Sequence, residues 1–441
     1  MHIQGMIRDR GSHKLQRMGQ LSLVAVGALV VAACGSSSAT SSSSSVSNPG
    51  VPSGITLSSL SPDLNATMSL LKPLTQYATK GANSLLVGVI LPDTTSSVRW
   101  VQYDQPYLTD AFADAGYTSA QFNVQNAQGS DPTQIDDATA DINLGAKVLV
   151  VCPLDGPTGL SIAALAAAHN VVLIDYDRAI FPSSGKTYYV SFNNEQVGEL
   201  IGNGFLSCLT SEGLSGAKVF ELDGGEDTDP NAISFADGYN KVVWGSEAKT
   251  VATLPATSTA GGATLIGQNY APGWSNTQGA TIFQQWYTAN PQTTASIEAN
   301  DGLANAVIGD LISDGVKGGT FPTTGQDATV DGMQSILEGY QCGSVYKPIY
   351  LEAQDAVIMA TILLAGDTVP TSILNGTTTD PASSSISEPA SLLTPIWVNK
   401  SNMESTVVKD AFDTAAAICS GTPAYPSYTN LAALCTQDGI S

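Results

Sequence analysis

Short, continuous apolar runs recur along the chain, and each is followed by a polar turn and a segment with helical spacing. Examples are LLVGVIL at 85–91, AKVLVV at 146–151 and VVLI at 171–174. A continuous apolar run of this length is typical of a strand that is buried on both faces of a parallel sheet. The alternation of such strands with helices predicts an α/β fold built from doubly wound parallel sheets.

The number of predicted strands exceeds what one compact sheet accommodates. The alternation starts again at AKVFELDGG (217–225) and continues to VYKPI (345–349). A chain of 441 residues with 43 % hydrophobic residues is long enough for two domains plus tails. We therefore predict two lobes, each with its own sheet, and a first break between them near 191–194.

Polar side chains follow several predicted strands directly. These positions are Arg99 with Trp100, Asp177 with Arg178, Asn300 with Asp301, and Gln326 with Asp327. In open α/β sheets, ligands bind outside the carboxyl ends of the strands. We therefore expect these polar side chains to line a cleft.

The first 33 residues have the layout of a secretory signal peptide. A basic start precedes the apolar run LSLVAVGALVVAA, which is too short for a stable transmembrane helix. The sequence VAAC at its end resembles a bacterial lipobox, which implies cleavage before Cys34 and lipidation of its thiol. The alternative is a signal peptide with a chance cysteine. The Ser-rich tract that follows is typical of a flexible tether, so residues 34–82 are predicted to be a linker.

The composition narrows the range of partners. Only 13 % of the residues are charged and the net charge is −22, which argues against nucleic acid because phosphate binding needs clustered Lys and Arg. A neutral ligand and an extracytoplasmic location fit this composition better, and the resemblance to a lipobox implies that the protein is lipid-anchored to the bacterial cell membrane. We expect no cofactor.

Five cysteines follow Cys34 in a compartment that permits disulfides. Cys419 and Cys435 are close in sequence and are predicted to pair, and a bond between Cys208 and Cys342 is possible. The cysteines have no nearby histidines, and the acidic run around residue 226 lacks the spacing of a calcium loop. We therefore predict no metal site.

The candidate binding residues combine planar hydrogen-bonding groups with flat apolar rings. They are Arg99, Trp100, Asp177, Arg178, Asn231, Trp274, Asn300, Asp327 and Lys347. Each hydroxyl of a sugar both donates and accepts, and carboxylates, amides and guanidinium groups pair with it in fixed geometry. The apolar C–H face of a sugar can lie on an aromatic ring. This mixture favours a monosaccharide.

The same residues fall into an ordered series of motifs. The series is RW (99–100), IDYDR (174–178), SFNNEQVGEL (191–200), DPNA (229–232), GW (273–274), AND (299–301), GQDA (325–328), VYKPI (345–349) and LLTPI (392–396). It resembles the type I periplasmic sugar-binding proteins of ABC importers over roughly residues 84–403. RW and YKPI point towards the D-xylose-binding branch. The departures at Asn193 and Gln196, and the acidic loop before Asn231, leave the exact sugar open.

The resemblance implies a role for each candidate. Asp177 and Arg178 look like the central pair on the sugar, and Trp274 looks like its stacking platform. Arg99, Asn231, Asn300, Asp327 and Lys347 are similar to the hydrogen-bonding groups, with Trp100 as a wall.

Each assignment has a structural alternative. Asp177 and Arg178 could form an ion pair at a strand end, and Trp274 could be ordinary core. Asn231 could cap a helix, and Lys347 could be a solvated hinge residue.

The resemblance also implies the organisation of the chain. The first lobe would comprise 84–191 and 348–390, and the second 192–346 and 391–441, joined by a three-segment hinge. The expected function is capture of a D-xylose-like aldopyranose by a monomer that delivers it to the membrane subunits of an ABC permease, with membrane contact through the lipid anchor only. The alternatives are a sugar-sensing module for a membrane receptor and, less favoured, a glycosidase that uses Asp177 and Asp327.

Overall fold

The computed structural model describes residues 47–225, 229–246, 259–260, 262–381 and 383–441. The predicted signal peptide, the predicted lipidation site Cys34 and the start of the predicted linker lie outside the described residues. No helix within the described ranges is long and apolar enough to cross a membrane.

The strands occur in three sheets. They are β1 (Val87–Leu91), β2 (Phe122–Asn126), β3 (Val148–Val151), β4 (Val172–Tyr176), β5 (Thr187–Phe192), β6 (Lys218–Gly224), β7 (Thr259–Ala260), β8 (Ala263–Ala271), β9 (Ala295–Glu298), β10 (Thr323–Gln326), β11 (Gln341–Tyr346), β12 (Gly376–Asp380), β13 (Ser383–Leu393) and β14 (Ile396–Val398).

The helices alternate with the strands along most of the chain. They are α1 (Leu64–Ala78), α2 (Gln105–Ala115), α3 (Asp131–Leu144), α4 (Gly156–Ala168), α5 (Asn194–Ser211), α6 (Pro230–Trp244), α7 (Asn276–Ala289), α8 (Asp301–Ser313), α9 (Val330–Leu337), α10 (Ile349–Leu364), α11 (Ala415–Ser420) and α12 (Leu431–Asp438). A π-helical turn, Trp100–Asp104, leads into α2.

The largest sheet has seven strands in the order β12-β13-β5-β4-β3-β1-β2. All neighbouring strands are parallel except the β12–β13 pair. Strands β1 and β3 are buried along their whole length, as expected for a sheet covered on both faces. The strand order reverses next to β1, which creates the crevice where open α/β sheets bind ligands.

A four-stranded sheet (β7-β8-β6-β9) and a three-stranded sheet (β10-β11-β14) lie side by side. Side chains continue the hydrogen bonding between them. Thr324 N donates to Glu298 Oε2 over 3.1 Å, and Glu298 N donates to Thr324 Oγ1 over 2.9 Å. The predicted doubly wound α/β architecture is therefore confirmed.

The chain passes between the seven-stranded sheet and the smaller sheets at three places. They are β5 to α5, β11 to α10, and β13 to β14. Strand β13 stays in the large sheet as far as Leu393, which pairs with Phe192. The expected boundary at residue 390 is therefore too early, because the strand runs three residues further.

The predicted linker contains folded structure. Helix α1 packs against α2 and α10, and its Met68, Leu71 and Leu74 are fully buried. The prediction that the linker extends to residue 82 is therefore wrong. The segment that follows the Ser-rich tract has apolar residues at helical spacing, and these pack against the helices α2 and α10.

Two disulfides are present in the described chain. Cys419 is joined to Cys435, and Cys208 is joined to Cys342, which links α5 to β11 across 134 positions. Cys152 is a buried free cysteine at the end of β3. Among the described residues, no group of three or more His, Cys, Asp or Glu side chains is arranged to hold a metal ion.

Candidate functional site

One cavity of about 30 Å³ is lined by all nine candidate binding residues. Seven strands or strand-to-helix connections from the large and the small sheets supply them, mostly at the carboxyl ends of the strands. The nine positions span residues 99–347 in sequence and meet at one point in space. They are Arg99, Trp100, Asp177, Arg178, Asn231, Trp274, Asn300, Asp327 and Lys347.

The site is closed to solvent. None of these nine side chains belongs to a residue that is more than 7 % exposed. All nine candidate residues are therefore buried in this conformation.

Arg99 is the most heavily paired cation in the described part of the chain. Its Nη1 donates to Asp177 over 2.6 Å, its Nε and Nη2 donate to Asp104 over 2.9 and 2.7 Å, and Nη2 also donates to Glu352 over 2.8 Å. These bonds use four of the five N–H groups of a guanidinium. One Nη1 proton of Arg99 has no acceptor among the described residues.

The Asp177 carboxylate is surrounded by donors from three elements. Besides Arg99, Lys347 Nζ lies 3.3 Å from Oδ1 and Asn231 Nδ2 lies 3.3 Å from Oδ2. Burial by itself raises the pKa of Asp177, but the charges of Arg99, Lys347 and Arg178 outweigh burial and hold this pKa well below its usual range. Asp177 therefore remains a carboxylate.

Three cavity-lining residues have left-handed backbone conformations that L-residues rarely adopt. The φ angles are 62° at Asp177, 57° at Trp274 and 93° at Asp327. For a bulky residue such as Trp274 this conformation is an outlier, and residues of this kind concentrate at binding sites, where the surrounding structure holds them.

Asp177 and Arg178 do not pair with each other. Arg178 Nη1 donates to the carbonyls of Pro153 and Leu154 over 3.1 and 3.4 Å, and its Nε lies 3.8 Å from Asp229. The structural alternative of an ion pair between Asp177 and Arg178 at the strand end is therefore wrong, because the backbone at Asp177 is left-handed and the two side chains have different partners. Within the described chain, Arg178 Nη2 has no acceptor.

The structure does not support the two structural alternatives for Lys347 and Asn231, namely a solvated hinge residue and a helix cap. Lys347 is 2 % exposed and lies 3.8 Å from Asp327 as well as 3.3 Å from Asp177, so it is not a solvated hinge residue. The N-cap of α6 is Asp229, whose side chain accepts from the backbone of Asn231, so Asn231 is not the helix cap. Its amide instead donates to the backbone oxygen of Asp177 over 2.9 Å.

The two indole rings have different surroundings. The guanidinium carbons of Arg99 and Arg178 lie 4.4 and 5.5 Å from the Trp100 ring, so cation–π contacts hold this wall. Trp274 lies over the backbone of Gly224, where a Cβ atom would overlap the ring. Trp274 therefore belongs to the apolar core on one side while it lines the cavity on the other.

Four further residues line the cavity and were not among the candidates. They are Ser96, Ser97, Phe235 and Gln326. Ser97 donates to Asp327 over 2.8 Å, and Ser96 accepts from the Trp100 indole over 3.0 Å. Gln326 is one of the polar residues at strand ends that were expected to line a cleft, whereas Phe235 lies in α6 and carries no such signal.

A larger cavity of about 480 Å³ adjoins the site. Arg178 and Trp274 line both cavities, and the carboxylates of Asp93, Asp155 and Asp229 line only the larger one. Asp155 and Asp229 cap α4 and α6, so these two carboxylates are already engaged with helix ends.

Comparisons with known proteins agree with this geometry. The chain is 30 % identical over 334 residues to the D-xylose-binding periplasmic protein of Escherichia coli (strain K12), which covers 75 % of this chain and 92 % of the relative. It is 29 % identical to the D-xylose-binding periplasmic protein of Haemophilus influenzae over 80 % of this chain and 98 % of the relative.

A solved structure gives the same result for the fold. A carbohydrate transporter solute binding protein from Chloroflexus aurantiacus, in complex with D-glucose, superposes with a TM-score of 0.63 at 26 % identity. The match covers 76 % of this chain and 98 % of the other. The sequence model of the periplasmic binding protein domain matches residues 87–368. Together with the two doubly wound sheet systems, this match shows that the chain belongs to the periplasmic binding proteins, with the type I fold.

Proposed function

We propose that this protein is an extracytoplasmic solute-binding protein that captures an aldopyranose, with D-xylose as the preferred ligand, and delivers it to an ABC permease. The convergence of the nine candidate residues on one closed cavity carries the proposal. The names of the relatives support it, because they are sugar-binding proteins of the periplasm.

The chemistry of the cavity suits a neutral, polyhydroxylated ring. The three cations that line it, Arg99, Arg178 and Lys347, each lie within 3.8 Å of a carboxylate. These carboxylates belong to Asp177, Asp229 and Asp327, so a charged ligand gains little. One Nη1 proton of Arg99 and the Nη2 group of Arg178 have no acceptor among the described residues, so they can donate to hydroxyl oxygens of the sugar. The rings of Trp100 and Trp274 supply flat apolar surfaces for the C–H face of the sugar.

Binding proceeds by opening and closure of two lobes in this proposal. The first lobe is built on the seven-stranded sheet and the second on the two smaller sheets, with the three passages of the chain between them as the hinge. Because the site residues come from both lobes and are buried, a ligand that bridges them favours the closed form by its differential affinity.

The predicted lipid anchor at Cys34 completes the proposal. It would keep the monomer at the outer face of the cytoplasmic membrane, where the permease takes up the sugar. This part of the proposal is tested by mass spectrometry of the protein made in a bacterial host. A chain that begins at a lipid-modified Cys34 supports it, and an unmodified N-terminus contradicts it.

A glycosidase function is less favoured by the electrostatics. A retaining glycosidase needs a protonated carboxyl as the general acid beside an ionised one. The cations around Asp177 hold its pKa well below the usual range, so Asp177 is not suited to donate a proton.

The test of the binding function is calorimetric titration of residues 46–441, which form one compact unit. D-xylose is titrated first, and then D-glucose, D-ribose, L-arabinose and D-galactose. We expect one-to-one binding that is tightest for D-xylose. Tighter binding of another aldose would keep the class and change the ligand, and the absence of heat with every sugar would overturn the proposal.

A further inference from the structure

We propose that Gln326 contacts the ligand and accepts a hydrogen bond from one sugar hydroxyl; this inference rests on the proposed function. Gln326 is the last residue of β10, is 3 % exposed and lines the same cavity as the nine candidates. It is the residue before Asp327, so both side chains leave the end of one strand.

The orientation of the Gln326 amide is fixed by its neighbour. Its Nε2 donates to the backbone carbonyl of Ala299 over 3.2 Å. A carbonyl oxygen can only accept, so the nitrogen must face it and Oε1 must face another direction. Among the described residues, Gln326 Oε1 is buried and has no donor.

An acceptor that is buried without a donor is unfavourable, because it has lost its hydrogen bonds to water. Gln341 and Gln354 also have buried Oε1 atoms without a donor in the described chain, but neither of them lines this cavity. Of these three glutamines only Gln326 lines the cavity, and in this proposal a ligand hydroxyl supplies the missing donor. The nearby cation Lys347 already faces the carboxylate of Asp327. We therefore expect the donor to Gln326 Oε1 to be a neutral hydroxyl of the ligand.

The experiment pairs a variant with a series of sugars. The wild-type protein, Gln326→Met and the control Gln354→Met are titrated with D-xylose and with deoxy-D-xyloses that each lack one hydroxyl. Gln326→Met should weaken D-xylose binding by roughly two- to tenfold. For one deoxy sugar, the wild-type protein and Gln326→Met should have the same affinity, because that sugar lacks the hydroxyl that donates to Gln326 Oε1.

The control separates a contact from a structural role. Gln354→Met removes a glutamine whose buried Oε1 also lacks a donor but which does not line the cavity. It should leave the ranking of the sugars unchanged. An equal loss for every sugar in Gln326→Met, or no loss, would overturn the contact. Absence of binding by the wild-type protein would overturn the proposed function, and the contact with it.

A second inference comes independently from the C-terminal segment. We infer that residues 410–413 form a clasp between the two lobes that stabilises the closed form without ligand. Tyr103, which precedes α2, donates to Asp413 over 2.5 Å, and its ring stacks on Phe412 at 4.1 Å. Tyr350 of α10 donates to Asp410 over 2.9 Å.

The chain that follows the clasp, residues 418–424, is attached to α9, next to the three-stranded sheet. Gln334 of α9 donates to the carbonyls of Ile418 and Thr422 over 3.1 and 3.2 Å and accepts from Ala424 N over 2.7 Å. The bond between Cys419 and Cys435 ties α11 to α12. Residues 410–424 therefore contact the helices of the large sheet at one end and α9, beside the three-stranded sheet, at the other.

The clasp is tested with small-angle scattering of the ligand-free protein. Tyr103→Phe removes only the hydroxyl that reaches Asp413. We expect a larger radius of gyration than in the wild type, since the open form becomes more populated. The control is Tyr340→Phe, because the Tyr340 hydroxyl donates to Val316 within the second lobe. Identical radii for wild type, Tyr103→Phe and Tyr340→Phe would overturn the clasp.

Discussion

Arg99 Nη1 donates a hydrogen bond to Asp177 Oδ1 over 2.6 Å, and both side chains are at most 4 % exposed. The same guanidinium holds Asp104 and Glu352. Arg99 is therefore the counter-ion of three buried acidic side chains, and we expect the cavity wall to depend on it even without ligand.

Replacement of Arg99 by Met should destabilise the ligand-free protein. It leaves Asp104 and Glu352 buried without the cation that pairs with them, while Asp177 retains Lys347, and this costs about 3–5 kcal/mol of the free energy of unfolding. Urea denaturation measures this change. The control is Lys241→Met, because Lys241 pairs with Glu195 on the surface, and its loss should change little. Equal stabilities of the two variants would contradict the structural role of Arg99.

Replacement of Arg178 by Ala should weaken sugar binding with a small effect on folding. Its free Nη2 is available to a ligand, and loss of a buried charged donor costs roughly 2–5 kcal/mol of binding free energy. Calorimetric titration with D-xylose measures the loss, and the melting temperature reports the fold. Lys186→Ala, at an exposed loop position, serves as the control. An unchanged affinity in Arg178→Ala would remove Arg178 from the site.

Replacement of Gly224 by Ala should displace Trp274. A Cβ at Gly224 would overlap the indole ring, and such overpacking costs about 1–3 kcal/mol. The affinity for D-xylose should fall as the ring moves from the cavity wall. The control is Gly54→Ala, where the added Cβ meets only Leu70 at 3.6 Å. An undiminished affinity in Gly224→Ala would show that the ring position does not matter for the ligand.

The stability of the fold should decrease as the pH rises from 4 to 8. Burial raises the pKa of Glu221 and Glu298 to about 8 and that of Asp355 to about 7. Unfolded Glu and Asp titrate near pH 4, so the folded chain binds more protons in this window and loses stability as they leave. Calorimetry should give a melting temperature at pH 5.5 that is at least ~5 °C above the value at pH 8.5.

Glu298→Gln isolates one of these groups. Its amide oxygen can still accept from Thr324 N, but the position no longer titrates. The pH dependence should become shallower than in Glu195→Gln, since Glu195 is exposed. A flat profile in the wild type would contradict the buried carboxyls. Below pH 4 the lowered pKa of Asp177 acts in the opposite sense, because protonation there removes its pairing with Arg99.

The expectation that polar residues at strand ends line a cleft identified much of the cavity lining. Asp177, Asn300 and Asp327 follow predicted strands, and the ordered motifs added positions such as Trp274 and Lys347 that no periodicity marks. The expectation missed the acids that hold Arg99, because Asp104 and Glu352 lie in helical segments whose buried faces depend on tertiary packing.

The helix α1 shows a second limit of the pattern. Its apolar residues are spaced for a helix, but they follow a Ser-rich tract that suggests a tether. Only the presence of α2 and α10 makes burial of Leu71 and Leu74 favourable, and that information is not local.

The bond between Cys208 and Cys342 joins two cysteines that are not the nearest to each other in sequence. Cys152 lies 56 positions before Cys208, whereas Cys342 lies 134 positions after it. The Cys152 thiol is buried at the end of β3, so a chain in which β3 has already folded keeps this thiol away from Cys208. Folding of β3 before the disulfide forms would therefore favour the pairing that the structure shows.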